Sequence, residues 1–136
     1  GALDTTDLFQ RLQDTALLPL LSSQQQQLYA YQWRWNQQPF PWNIIHGAVH
    51  GGDIGFLLGS FDAALFNNGY SSQNRPGRED LSSAMRTSLV QFARTGNPNH
   101  DGLGDTWQTW SPLPGAAKRI LFDADDQQKQ ISMQYE

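Results

Sequence analysis

The sequence has no cysteine, so neither a disulfide framework nor a cysteine-based zinc site is available to it. Basic residues are few: 9 Lys and Arg stand against 13 Asp and Glu, for a formal net charge of -4. They form no basic run, which argues against a nucleic-acid protein. Charged residues of both signs amount to 16%, below the roughly 25% of an average domain. No apolar run approaches the roughly 18 residues of a membrane span. Aromatic residues, by contrast, reach 12% and include five Trp, which excludes a disordered tail. The 136 residues are one domain's worth of chain or a piece of something larger. Gly1-Ala2-Leu3-Asp4 carries no initiator Met and no leader pattern, and is expected to be the cut end of a longer chain.

Periodicity predicts a first helix over 5–21. Thr5 or Thr6 is its N-cap, Asp7 lies in the first turn, and Leu8, Leu12, Ala16 and Leu20 share one face. Pro19 is expected to limit its run. Residues 28–35 read as a strand, with aromatic side chains at 29, 31, 33 and 35 and burial expected to loosen towards the C-terminal end. Pro39 and Pro41 close it. Residues 43–60 hold five glycines and read as a loop that turns tightly or approaches something closely. Residues 67–79 read as surface loop. A second helix is predicted over about 81–94, with Asp80 as N-cap and a stripe of Leu81, Met85, Leu89 and Phe92. Arg94 falls in its last turn, Gly96 just past its end, and Pro98 prevents continuation. Residues 119–123 form a short strand, and 124–136 are expected to be a polar, fraying tail. Two strands more than eighty residues apart do not complete a sheet, so the pattern reads as one end of a larger α/β structure.

Three histidines carry most of the chemical interest. His100 sits in a polar loop and reads as a solvated residue. His46 and His50 have the i, i+4 spacing of two zinc ligands on a helix. Gly47, Gly51 and Gly52 argue against a helix there, and no Glu lies where a His-Glu-x-x-His motif needs it. His50-Gly51-Gly52 also resembles the start of an oxyanion loop, but Asp53 would oppose a developing negative charge. The remaining readings of His50 are a general base and acid after a buried strand, or a structural histidine in a glycine-rich turn. Imidazole suits the first role because its ordinary pKa of about 6.5 lets it take and return a proton near neutrality.

Two motifs carry a family resemblance: Gly47-Ala48-Val49-His50-Gly51-Gly52-Asp53-Ile54-Gly55-Phe56-Leu57-Leu58-Gly59, and Phe92-Ala93-Arg94-Thr95-Gly96-Asn97-Pro98-Asn99. With the aromatic strand before them, and Trp107 and Ile120-Leu121-Phe122-Asp123 after, the chain resembles the C-terminal part of type B carboxylesterases over residues 5–125. That family includes the cholinesterases and bacterial para-nitrobenzyl esterases. The resemblance implies an α/β fold, namely the C-terminal end of an α/β-hydrolase, in the order helix, aromatic strand, His loop, helix and short strand. It also implies a serine carboxylic ester hydrolase that needs no cofactor and no metal. His50 matches the catalytic histidine, and Asp53 matches an acidic position near the site that is not the triad acid. Trp42, with Phe40 and Pro41, precedes the His loop where members place pocket wall, so it is either a substrate contact or packing.

The nucleophile elbow Gly-x-Ser-x-Gly is absent, and Gly69-Tyr70-Ser71-Ser72-Gln73 lacks its second glycine. The chain therefore holds one triad member of three, and the rest is expected from the remainder of a parent chain. An inactive, self-associating piece is the expectation for these residues alone. A non-catalytic cholinesterase-like binding protein is the competing reading. The lack of cysteine fits a bacterial member, whether periplasmic, secreted or cytoplasmic.

Overall fold

The computed structural model describes residues 11–62 and 67–136. The predicted helix start, with Thr5, Thr6, Asp7 and Leu8, lies outside them. A π-helical turn, Gln13–Leu17, runs directly into α1, Leu18–Gln24. The helix thus passes through Pro19 instead of ending there. Pro19 falls in the first turn of α1, where a missing N–H is tolerated, and the wider turn before it makes room for the ring. The extra residue in that turn rotates the faces. Leu12 and Leu20 are exposed, Leu18 is buried, and Asp14 forms an ion pair with the buried guanidinium of Arg119.

Three strands form one sheet in the order β1-β2-β3, where β1 is Tyr31–Trp33, β2 is Ala117–Ala124 and β3 is Lys129–Tyr135. β1 runs parallel to β2 with Tyr31 opposite Ile120 and Trp33 opposite Phe122. Pairing reaches beyond the strand itself: Ile120 N–H donates to Ala30 O at 3.0 Å and Arg34 N–H to Phe122 O at 2.8 Å. On the polar face burial loosens as predicted, with Leu28, Ala30 and Gln32 half-buried and Arg34 exposed, while the aromatic face tightens. Tyr31 is 41% exposed and Trp35 only 1%, because the aromatic face turns inward onto Phe56 as it leaves the sheet.

The expected fraying tail is instead β3, antiparallel to β2 from Ala117↔Tyr135 to Ala124↔Lys129. The connecting turn is closed by Asp125, whose Oδ1 accepts the N–H groups of Gln127 and Gln128 at 2.8 Å. Those two bonds hold its carboxyl below the usual carboxylate range. The alternation of Ile131, Met133 and Tyr135 with polar residues was the overlooked strand signal.

The long helix on this sheet, Arg75–Thr95, begins six residues before the predicted start. Asn74 holds the N-cap position and Pro76 the first turn, so the predicted surface loop is shorter than expected. Asp80 is not a cap: its carboxylate accepts the Lys129 N–H at 2.9 Å and pairs with Lys129 Nζ at 3.2 Å. The C-terminal end is as expected, with Gly96 at φ 75° donating its N–H to Phe92 O at 2.8 Å. Leu81 and Met85 enter the core, whereas Leu89 and Phe92 of the predicted stripe are half-exposed. Ser82 and Ser88 are buried instead, and Ser82 Oγ donates to Phe56 O at 2.7 Å.

The helix can approach the β2–β3 turn only because residue 77 is glycine. Its N–H donates to Asp126 O at 3.0 Å, and a Cβ there would lie 1.8 Å from Asp125 O. Gly77→Ala is therefore expected to destabilise the protein by about 2–3 kcal/mol, the order of an overpacked core site. Gly96→Ala, where a Cβ meets nothing within 4 Å, carries only the left-handed backbone strain of about 1 kcal/mol. Urea unfolding of the two variants side by side checks this, and a Gly77→Ala loss no larger than that of Gly96→Ala contradicts it.

Candidate functional site

The glycine-rich segment is not a continuous loop. It holds two short helices, α2 at Trp42–Ile45 and α3 at Ile54–Leu58, joined by a turn that carries His50. Gly47 and Gly51 take positive φ of 56° and 81°, so no helix spans His46 to His50 and the zinc-on-a-helix geometry does not arise. Among the described residues no group of three or more potential metal-ligating side chains gathers. His46 stacks on Trp42 with ring centroids 5.3 Å apart and planes 7° from parallel.

His50 is exposed at this turn, and its imidazole takes no hydrogen-bond partner among the described residues. The residues after it anchor the turn to β1. Gly52 N–H donates to Val49 O at 3.0 Å, closing the turn. A Cβ on Gly52 would sit 2.7 Å from Cη2 and Cζ3 of Trp33, so the backbone approaches the indole directly. Trp33 in turn packs against Phe56 of α3 at 5.4 Å. Asp53 Oδ2 accepts the Tyr31 hydroxyl at 2.7 Å. Burial, then this hydrogen bond, then the charge of Asp53 raise the Tyr31 phenol well above its usual range, so it stays a donor throughout the neutral region. Before His50, Gln38 Nε2 donates to Gly47 O at 2.8 Å.

Of the residues singled out from sequence, His50, Asp53 and Trp42 thus lie on one segment, 42–53, whose far end meets the aromatic strand at Gly52 and Asp53. Asp53 is half-buried and bonded to a phenol. Tyr31 is the member of this cluster that sequence reasoning passed over as a strand residue. A hydroxyl at one end of an otherwise apolar aromatic alternation was the available signal. His100 is corrected: it is half-buried, with Nε2 3.1 Å from Ala84 O of the long helix. A separate cavity of about 640 Å³, bounded by Phe61, Tyr70, Arg75 and Arg78, includes no residue of the His50 turn.

The contact between Gly52 and Trp33 gives a direct check on this anchoring. Gly52→Ala forces either the turn or the indole to move, with an expected loss of about 1–3 kcal/mol in stability. Thermal unfolding followed by Trp fluorescence measures it, and an unchanged midpoint contradicts the close approach.

Comparison with known proteins agrees with this architecture. The sequence matches the carboxylesterase family over residues 4–136. A solved PNB esterase superposes with a TM-score of 0.59 at 20% identity, over 80% of this chain and 20% of that one. An esterase from the anaerobe Clostridium hathewayi, described as hydrolysing aliphatic aromatic polyesters, superposes at 0.56 with 18% identity, over 80% of this chain and 19% of its own. The chain therefore spans about a fifth of the length of these structures, and its mixed sheet and helices have the fold of the corresponding part of an α/β-hydrolase. A family match along nearly the whole sequence, on a fold shared with two esterases, makes this chain a member of the carboxylesterase family.

Proposed function

We propose that this chain is the C-terminal portion of a larger serine carboxylesterase and supplies its catalytic histidine, His50. The observation that carries the reading is the placement of one exposed imidazole, unpartnered among the described residues, on a turn fastened to a parallel strand. In the proposed reaction, a serine from the remainder of the chain attacks the ester carbonyl while His50 takes its proton. His50 then protonates the departing alcohol, and water repeats the cycle on the acyl-enzyme. A carboxylate upstream orients the imidazole. Asp53 is engaged by Tyr31, which favours its role as an acidic neighbour over that of triad acid. Trp42 is assigned to the wall of the substrate pocket on its position beside the turn.

Exposed apolar groups support a larger parent. Phe40 is 79% exposed, Ile44 74% and Leu58 68%, and β1 pairs on one side only among the described strands. Parallel strands are ordinarily covered on both faces, and an open strand edge invites pairing. The chain by itself is accordingly inactive and self-associating. Sedimentation should show species heavier than 15.3 kDa. A strictly monomeric, dilution-independent mass would count against this.

The decisive test is His50→Ala in the full-length esterase, with hydrolysis of a short p-nitrophenyl ester as readout. Turnover is expected to fall by about 10³-fold or more, since a triad works as a unit, with the unfolding midpoint unchanged. Near-normal turnover would sink the assignment, whereas no hydrolysis by the unsubstituted full-length protein would favour a non-catalytic binding role.

A further inference from the structure

An exposed imidazole does not position itself. To serve a nucleophile it must come within hydrogen-bond reach, roughly 2.6–3.2 Å, and small displacements of a reacting group cost large factors in rate. What holds the His50 turn is therefore part of the reaction. Gly52 contributes a hydrogen bond within the turn and contact with Trp33, whereas Asp53 contributes a directional bond to a partner 22 residues away in sequence.

That partner is itself immobilised from three sides. The Tyr31 backbone pairs with β2 opposite Ile120. Its ring meets Trp107 edge-on at 6.1 Å and Phe122 at 5.6 Å. Phe122 and Trp107 are both buried and pack on each other at 5.3 Å. These contacts restrict the rotamer of the Tyr31 ring and with it the position of the phenol oxygen. A hydrogen bond to a carboxylate is about twice as strong as a neutral one, so Asp53 follows that oxygen. The turn it ends follows with it.

We infer that Tyr31 is a positioning residue of the esterase reaction, acting through Asp53 to fix the turn that presents His50. The inference rests on the reading of His50 as the proton carrier.

A double-mutant cycle in the full-length esterase tests it, with His50→Ala measured alongside. Tyr31→Phe and Asp53→Ala are each expected to lower kcat about tenfold with KM within about twofold, the signature of a misplaced catalytic group with an intact binding site. The double variant should lose no more than either single one, because both remove the same bond. Asp53→Asn, which keeps an oxygen acceptor, should recover most of the Asp53→Ala loss. If His50→Ala is inactive while Tyr31→Phe keeps wild-type kcat, or if the two losses multiply, Tyr31 has no positioning role and the His50 assignment stands. If His50→Ala retains turnover, both fall. Should Tyr31→Phe fail to fold, Asp53→Ala against Asp53→Asn decides, and equal kcat for those two overturns the inference.

Discussion

The parallel pairing of β1 with β2 is the constraint on which the rest depends. It joins Tyr31 to Ile120 and Trp33 to Phe122 across nearly ninety residues, so a long loop must close to form it. Everything placed against the aromatic strand inherits its position from that pairing. The turn carrying His50 is fastened to Tyr31 and Trp33, and the loop residue Trp107 donates its indole N–H to Ala30 O at 3.0 Å. Without the pairing, the glycine-rich segment has no surface to turn against.

On the helix side of the sheet, close approach matters more than apolar area. The long helix buries Ser82 and Ser88 alongside Leu81 and Met85, and it reaches the β2–β3 turn at Gly77. Asn74 stitches the start of this helix to the chain around it. Its Nδ2 donates to Gln37 O and Gly69 O, each at 2.9 Å, and its Oδ1 accepts from Arg78 at 2.8 Å. Arg78 lies over the rings of Phe61 and Tyr70, which meet edge-on, 4.7 and 4.8 Å from their centroids. Burial lowers its pKa from the ordinary arginine value, with the group still charged at neutral pH. A buried charge held by two aromatic faces and one amide is a packing element, and it stands clear of the His50 turn.

Much of the site was legible in the sequence, and less of the fold. His50, Asp53 and the glycines around them occur as a contiguous run, so their motif survives without any tertiary information. The close approach expected of those glycines is real at Gly52, which meets the Trp33 ring. Where periodicity failed, a local rule was overridden by a partner from afar. Asp80 has the chemistry of an N-cap, yet it binds Lys129 of β3. Residues 129–135 look polar enough to fray, yet they pair along β2. His100 lies in a loop of polar residues, yet the long helix receives its ring.

By itself, the sequence determined the family motif, the candidate base, the existence of the aromatic strand and the C-terminal stop of the long helix. These are set by contiguous residues whose backbone preferences and spacing need no distant partner. The tertiary structure alone decided which face of the first helix is buried, that β1 and β2 are parallel neighbours, and that Tyr31 takes hold of Asp53. Each of those outcomes depends on bringing together side chains far apart in the chain. No local preference encodes such a meeting, and only the packed sheet settles which distant groups share a contact.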